Sequence, residues 1–280
     1  MYNTKDQAYL IGQAFRILKM FSEGRTIRDK LILFPGAILR VVSNVLSYAR
    51  IPFFPRFTYL ASRPACDVMI KNKDGLFKCR KGEEDAMIAA EAYEYLLQLY
   101  FEGIESGIFV DIGANIGKYT IKVARRLKKR GQVIAIEPDP ETFAVLKSNI
   151  ILNNLENVVA LNVACWKDNE DLLLDVSSPL GCGCYSVKGT PSCSIRVRGR
   201  KIDDLLRELN IDEVVFMKID VEGAEVEVLE GARGTISRNK SMVTIVEVRN
   251  SDNLAAISSI FGEGISISEE SRANFLIKRV

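Results

Sequence analysis

From Ile108 onward, short apolar runs alternate with amphipathic stretches, and that alternation sets the expected fold class. FVDIG (109–113), VIAIEP (133–138), VVALNVAC (158–165), VVFMKIDVEG (214–223) and MVTIVEV (242–248) have the Val- and Ile-rich character of strands buried on both faces. Helical patterns lie between them near 117–129 and 140–153, in IDDLLREL, in AEVEVLEGA with Gly231 as its expected cap, and near 252–261. This βαβ alternation predicts a parallel sheet with right-handed crossovers. ISISEE and ANFLIKRV are placed to close it as a terminal hairpin. The expectation is a doubly wound, mostly parallel, seven-stranded Rossmann-like α/β sheet. LLLDV (172–176) and IRVRGRK (195–201) bracket a stretch rich in Gly, Cys, Ser and Pro, and predict an inserted β-hairpin.

The first third of the chain has a different rhythm. Leu10, Ala14, Leu18 and Phe21 recur at helical spacing, and a second helix is expected after Pro35. IPFFPRF (51–57) breaks any helix and marks a boundary. CDVMIKNKDGLFKCRKG (66–82) predicts a β-hairpin turning at Lys73-Asp74-Gly75, and one helix from Glu83 to Phe101 leads into the first core strand. Residues 1–65 are therefore expected to form a helical N-terminal extension. Residues 66–280 are expected to form the α/β domain, with hairpin and lead-in helix over 66–105 and core over 106–280. The segment 31–49 comes nearest to a membrane span, but Pro35, Gly36, Arg40, Ser43 and Asn44 interrupt it. An interfacial or core-packed helix is the better reading, so peripheral membrane contact through 31–57 is compatible. Met1 is followed by mixed polar sequence without a secretory pattern, and the expected location is cytoplasmic, with a membrane-associated form included.

Candidate chemistry gathers where the strands end. In FVDIGANIGKYT (109–120) a strand carrying Asp111 must turn at once into a helix, and Gly113 and Gly117 let backbone approach a ligand closely. The next strand ends at Glu137, a carboxylate able to accept both hydroxyls of a ribose. In a doubly wound sheet these two ends meet at the crevice where nucleotide-like ligands bind. The turn is GANIG, not GxGxxG, so the ordinary NAD fingerprint is absent. Asp220 and Glu222, two apart at a strand end, would point the same way if extended; Lys218 shares that parity, and Glu247 would lie alongside.

Composition narrows the chemistry further. The 38 basic and 36 acidic residues nearly balance, so overall charge demands no nucleic-acid partner. There is no histidine, so a general base must be Asp, Glu, Lys, Tyr or Cys. Cys66, Cys79, Cys165, Cys182, Cys184 and Cys193 do not form a paired CxxC zinc signature and are taken mainly as unpaired thiols, with a disulfide or a metal as alternatives. Arg196, Arg198 and Arg200 would share one strand face, solvated or facing an acidic substrate. The run KVARRLKKR (122–130) suits the carboxyl end of a helix.

DIGANIGKYT, IEPDPETFAVLKSNIILNN, KIDVEGAEVEVLEGA and IVEV together resemble, in order and approximate spacing, the FkbM-type family of class I S-adenosylmethionine (SAM)-dependent methyltransferases. The resemblance covers roughly Asp67 to Val280. It implies that Asp111 and Gly113 line the methionine end of the cofactor, that Asn115 and Gly117 shape the turn, and that Thr120 begins the helix facing it. It also implies that Glu137 binds the ribose and that Asn162 or Ala164 lies near adenine. Asp220, Glu222, Lys218 and Glu247 are the implied catalytic set, with Asp220 or Glu222 as base; alternatively Asp220, Glu222 and Glu247 hold Mg²⁺. The family's usual chemistry implies O-methylation of a hydroxyl on a sugar, glycan or glycosylated metabolite, the acceptor being a small molecule or glycan. Many relatives carry a histidine just after the fifth strand's glutamate. Here Val248-Arg249-Asn250 follows Glu247, which shifts weight onto the carboxylates or Arg249. A non-catalytic SAM-binding or scaffold protein and a nucleotide-dependent oxidoreductase are the competing classes.

Overall fold

The computed structural model describes residues 22–48, 63–91, 93–176, 194–248, 252–271 and 273–279, together with 14, 17–19 and 250. The segment IPFFPRF, Cys182, Cys184, Cys193, Arg249 and most of the helix expected over 7–21 lie outside the described residues. The chain divides into two compact units, Met1–Tyr95 and Leu96–Val280.

In the first unit, helix α1 (Ile27–Tyr48) begins well before Pro35 and runs through it. The Thr26–Asp29 pair explains the early start: Asp29 N–H donates to Thr26 Oγ1 at 3.1 Å, and Thr26 N–H donates back to Asp29 Oδ2 at 3.0 Å. This reciprocal cap nucleates a helix that the proline alone would have delayed. Pro35 costs one internal hydrogen bond, that to the Leu31 carbonyl, but both residues are exposed and water can take the freed acceptor. Strands β1 (Val68–Lys71) and β2 (Leu76–Cys79) form the expected hairpin. Its turn is closed by Asn72, whose Oδ1 accepts from Asp74 N–H at 3.1 Å and Gly75 N–H at 3.3 Å.

The expected single helix 83–101 is two: α2 (Asp85–Ala89) and α3 (Tyr95–Glu102). Between them Glu94 adopts φ 43°. Side chains take the backbone groups that helix continuation would have used. Asn72 Nδ2 donates to the Ala89 carbonyl at 2.8 Å, and Glu91 N–H donates to Glu23 Oε2 at 3.0 Å. Tertiary partners thus override a favourable local pattern.

The second unit is built on a seven-stranded sheet: β3 (Gly107–Ile112), β4 (Gly131–Ile136), β5 (Val158–Leu161), β9 (Phe216–Ile219), β10 (Val243–Glu247), β11 (Ile265–Ser271) and β12 (Asn274–Arg279). Their spatial order is β11-β12-β10-β9-β3-β4-β5. The five central and distal strands are parallel, and β12 is antiparallel to both neighbours, as the terminal hairpin requires. Val110, Ile112, Met217, Ile219 and Val246 face one apolar layer with α6 (Ile202–Glu208), α7 (Glu225–Glu230), α8 (Arg233–Arg238) and α9 (Asn253–Phe261). Phe109, Val133, Phe216 and Ile245 face the other, against α3 and α4 (Lys118–Leu127). There Phe101, Phe109 and Phe216 pack edge to tilted with ring centroids 5.3–5.8 Å apart. Helix α5 (Pro140–Leu152) covers Ala135 on the same side. The sheet is therefore doubly wound, with helices on both faces.

One strand expectation shortens. VVALNVAC divides into β5 and β6 (Ala164–Cys165), because Asn162 turns to donate to the carbonyls of Glu137 and Pro138 at 2.9 and 3.0 Å. Strand β6 joins β7 (Asp171–Asp175) and β8 (Ser194–Arg200) in a separate three-stranded sheet containing the expected inserted hairpin. Gly231 follows α7 but has φ −71°, so it is no left-handed cap. Its lack of a side chain matters for packing: a Cβ there would lie 2.1 Å from the Trp166 carbonyl oxygen.

Candidate active site

Strand alternation assembles the polar cluster. Along β3, Phe109 and Asp111 share a face; along β9, Phe216 and Lys218; along β10, Ile245 and Glu247. Asp111 and Lys218 are direct partners in the β3–β9 ladder. Lys218 is also paired with Ile245, which carries Glu247 two residues on. Chemistry-bearing side chains thus continue the aromatic-lined face at the carboxyl ends of the central strands.

Asp111 is 1% exposed. Its Oδ2 accepts from Thr120 Oγ1 at 2.6 Å, while Oδ1, also buried, has no hydrogen-bond partner among the described residues. Burial pushes the Asp111 carboxyl above its ordinary range, and the nearby Lys218 ammonium opposes that shift. Lys218, itself buried, donates from Nζ to Asp220 Oδ2 at 3.0 Å and lies 5.3 Å from the Tyr119 ring centroid. Thr120 is fully buried, and its hydroxyl holds Asp111.

The turn after β3 shows why GANIG has its residues. Gly113, Asn115 and Gly117 have φ of 75°, 51° and 93°, so every second residue is left-handed. Glycine, and to a lesser degree asparagine, tolerate that region. The turn is pinned from both sides: Gly113 and Ala114 N–H donate to the Ile136 carbonyl at 3.0 and 2.9 Å, and Asn149 Nδ2 donates to the Ile116 carbonyl at 2.9 Å.

Glu137, one residue beyond β4, is 4% exposed. Oε2 accepts from Asn115 N–H at 2.9 Å and Oε1 from Asp139 N–H at 3.1 Å, leaving each oxygen a second lone pair. Burial raises its pKa to about 7, against the lowering effect of those two N–H groups. Asp139 caps α5 by accepting from Thr142 N–H at 2.8 Å, with Pro140 in the first helical turn.

One sequence expectation changes here. Strand β9 ends at Ile219, and Glu222 has φ 56°, so the extended parity that would align Asp220 with Glu222 does not apply. A non-glycine residue held left-handed, followed by Gly223 at φ 104°, marks a strained loop at the sheet's carboxyl edge. Ala164 lies with Leu174 and Val197 in the apolar cluster of the three-stranded sheet, whereas Asn162 ties the end of β5 to that of β4.

Sequence reasoning passed over two participants. Glu225 is 1% exposed; its Oε1 accepts from Gly223 N–H at 2.6 Å, and its buried Oε2 has no hydrogen-bond partner among the described residues. Its place in the first turn of α7, three residues after Glu222, was the available signal. Tyr119 carried none, since its role depends on Lys218 from another strand.

A parallel sheet with acidic groups at the carboxyl ends of β3, β4 and β9, a left-handed glycine turn and a buried carboxylate after β4 defines a Rossmann-like fold with its polar cluster at the strand ends. The comparisons with known proteins sharpen that class. The family described as Methyltransferase FkbM domain matches residues 111–263, and the chain belongs to that family. It is 27% identical over 147 residues to Methyltransferase 1 of Beauveria bassiana, covering 45% of this chain and 59% of that protein. It is 24% identical over 251 residues to the hexuronic acid methyltransferase AglP of Haloferax volcanii, covering 89% of this chain and 91% of AglP. The chain spans 59% of the length of the first two curated relatives it matches. Among solved structures, the precorrin-6y C5,15-methyltransferase of Geobacter metallireducens aligns with a TM-score of 0.40 and 14% identity over 67% of this chain and 86% of that one.

Proposed function

We propose that the protein is a SAM-dependent methyltransferase that methylates a hydroxyl on a sugar or glycan. The observation that carries the cofactor reading is the pair of buried carboxylates, Asp111 and Glu137, at the ends of adjacent strands around the 113–117 turn. The residues fit such a cofactor. Asp111 Oδ1 is a buried acceptor awaiting a donor, and the paired lone pairs of Glu137 suit vicinal hydroxyls. The excess of carboxylates suits a cationic ligand. The sugar reading is supported by AglP, whose similarity extends over most of both chains. Incubation with methyl-labelled SAM and a panel of uronic acids and glycans, followed by mass spectrometry, is expected to yield an O-methylated product. Label in no acceptor would overturn the acceptor reading.

The cofactor, when bound, supplies an electrophilic methyl group on a sulfonium. The chain's own residues supply grip, alignment and proton transfer. Asp111, Gly113 and the 113–117 turn hold the amino-acid end, and Glu137 holds the ribose. Asp220 commits an oxygen to the Lys218 ammonium, so its part is to fix charge beside Asp111. Glu222, on the strained loop and with no histidine in the chain, is the base that takes the acceptor's hydroxyl proton.

The Glu137 pair of strands makes a pH prediction. Asn115 N–H, Asp139 N–H and two ribose hydroxyls are all donors, so binding takes the ionised carboxylate. With its pKa raised to about 7, affinity for S-adenosylhomocysteine (SAH) is expected to fall about tenfold per pH unit below that point. Calorimetry across that range checks it; a flat profile would contradict the assignment. Stability of the unliganded protein carries the opposite sign. The folded-state pKa lies above the ordinary 4.5, so this group's contribution is full below that value and is lost as pH rises through about 7.

A Mg²⁺-assisted variant would need Asp220, Glu222 and Glu247 to converge. Among the described residues, no three His, Cys, Asp or Glu side chains are grouped to hold a metal ion. Initial rates are therefore expected to stay within about twofold in excess EDTA; a large drop restored by Mg²⁺ would favour the metal version.

A further inference from the structure

Helix α1 wears its apolar residues on the wrong side for a water-facing helix. Ile27, Leu31, Phe34, Ile38 and Val42 are spaced four, three, four and four apart, which puts them on one face. Their exposures are 80, 66, 44, 43 and 38%. Pro35 beside them is exposed too. The opposite face is occupied: Leu33 and Ala37 are buried, and Asp29 is buried in its cap with Thr26. A surface helix normally presents polar residues outward, and a contiguous apolar stripe marks a docking face.

Charge identifies what it docks on. From Gly24 to Arg63 the sequence holds seven basic residues (Arg25, Arg28, Lys30, Arg40, Arg50, Arg56, Arg63) and a single acidic one, the buried Asp29. That surplus of six exceeds the whole chain's net +2, so the remainder of the protein is net negative. Arg25 and Arg28 are exposed and flank Ile27. A spanning helix does not fit, since no described helix is long and apolar enough to cross a membrane. A second copy on this stripe would set two basic segments against each other, an unfavourable juxtaposition.

We propose that α1 is a monotopic anchor: its exposed stripe lies in the surface of an anionic bilayer, with the exposed Arg25 and Arg28 on the headgroups. The test uses the full chain and vesicles of phosphatidylglycerol mixed with phosphatidylcholine, with phosphatidylcholine alone as the neutral arm. Cosedimentation with the anionic vesicles at low salt, and release at high salt, are expected. Leu31→Glu combined with Ile38→Glu is expected to cut partitioning by at least roughly tenfold without lowering the unfolding temperature, because both positions are exposed. Arg25→Ser with Arg28→Ser is expected to weaken it by a similar factor. Phe34→Trp supplies a second readout in the folded protein, a blue-shifted emission on anionic vesicles.

A chain that stays in the supernatant with anionic vesicles, or binds neutral ones equally well, overturns the proposal. So does unchanged binding by the double glutamate variant. A dimer that this variant renders monomeric, without vesicle binding by either form, would assign the stripe to a second copy.

Discussion

Gly113→Ala is expected to destabilise the protein by roughly 2–5 kcal/mol and to abolish measurable SAH binding. An added Cβ would sit 1.8 Å from the Asp220 carbonyl oxygen, a backbone atom with no freedom to swing aside. Residue 113 also has φ 75°, which adds the left-handed penalty of an L side chain. Relief would require separating the ends of β3 and β9, where Asp220 N–H donates to the Ile112 carbonyl at 3.0 Å. That movement would draw Asp111 away from Lys218. Gly223→Ala is the natural control: φ there is 104°, but a Cβ would meet nothing within 4 Å, so only conformational strain applies. Thermal unfolding and SAH calorimetry on both variants separate the two effects. A Gly113→Ala protein as stable as the Gly223→Ala one would refute the close-approach account.

Glu222→Gln should cost about 10²–10⁴-fold in kcat while leaving SAH affinity within about threefold. The amide keeps the size of the side chain and its ability to accept hydrogen bonds on one oxygen, but it cannot take a proton. Asp220→Asn has a different signature. Its carboxylate is the 3.0 Å partner of a buried ammonium, and without it Lys218 is left with Asp111 as its nearby counter-charge. Loss of turnover is then accompanied by weaker cofactor binding and lower stability. Steady-state kinetics paired with calorimetry distinguish proton acceptor from positioning residue. If Glu222→Gln turned over at the wild-type rate, the proton would have to leave by another route.

The order of strands and helices in the second unit was legible because each strand is a compact apolar run ended by its own turn chemistry. FVDIG followed by GANIG forces a strand–helix reversal. Where the reading failed, distant side chains had intervened. The helix expected from Glu83 to Phe101 is interrupted by Glu23 and Asn72, which claim the backbone at Glu91 and Ala89. Nothing local announces partners about twenty to seventy residues away.

The candidate site divides along the same line. Asp111 and Lys218 follow from strand periodicity, which decides which side of a sheet a residue faces, and Gly113 and Glu137 from their places at a strand–helix turn and a strand end. The loop beyond β9 could not, since its left-handed Glu222 breaks the alternation on which the parity argument depended.

By itself, the order of apolar and polar residues determined that this chain makes a doubly wound sheet with acids at its carboxyl edge. Short-range periodicity and turn stereochemistry suffice for that. Only the tertiary structure decided that Lys218 sits between Asp111 and Asp220 over the Tyr119 ring, that Glu225 holds the Gly223 amide, and that the apolar stripe of α1 faces outward. Each of these depends on which residues burial brings together across elements, and no local window of sequence contains both partners and the space between them.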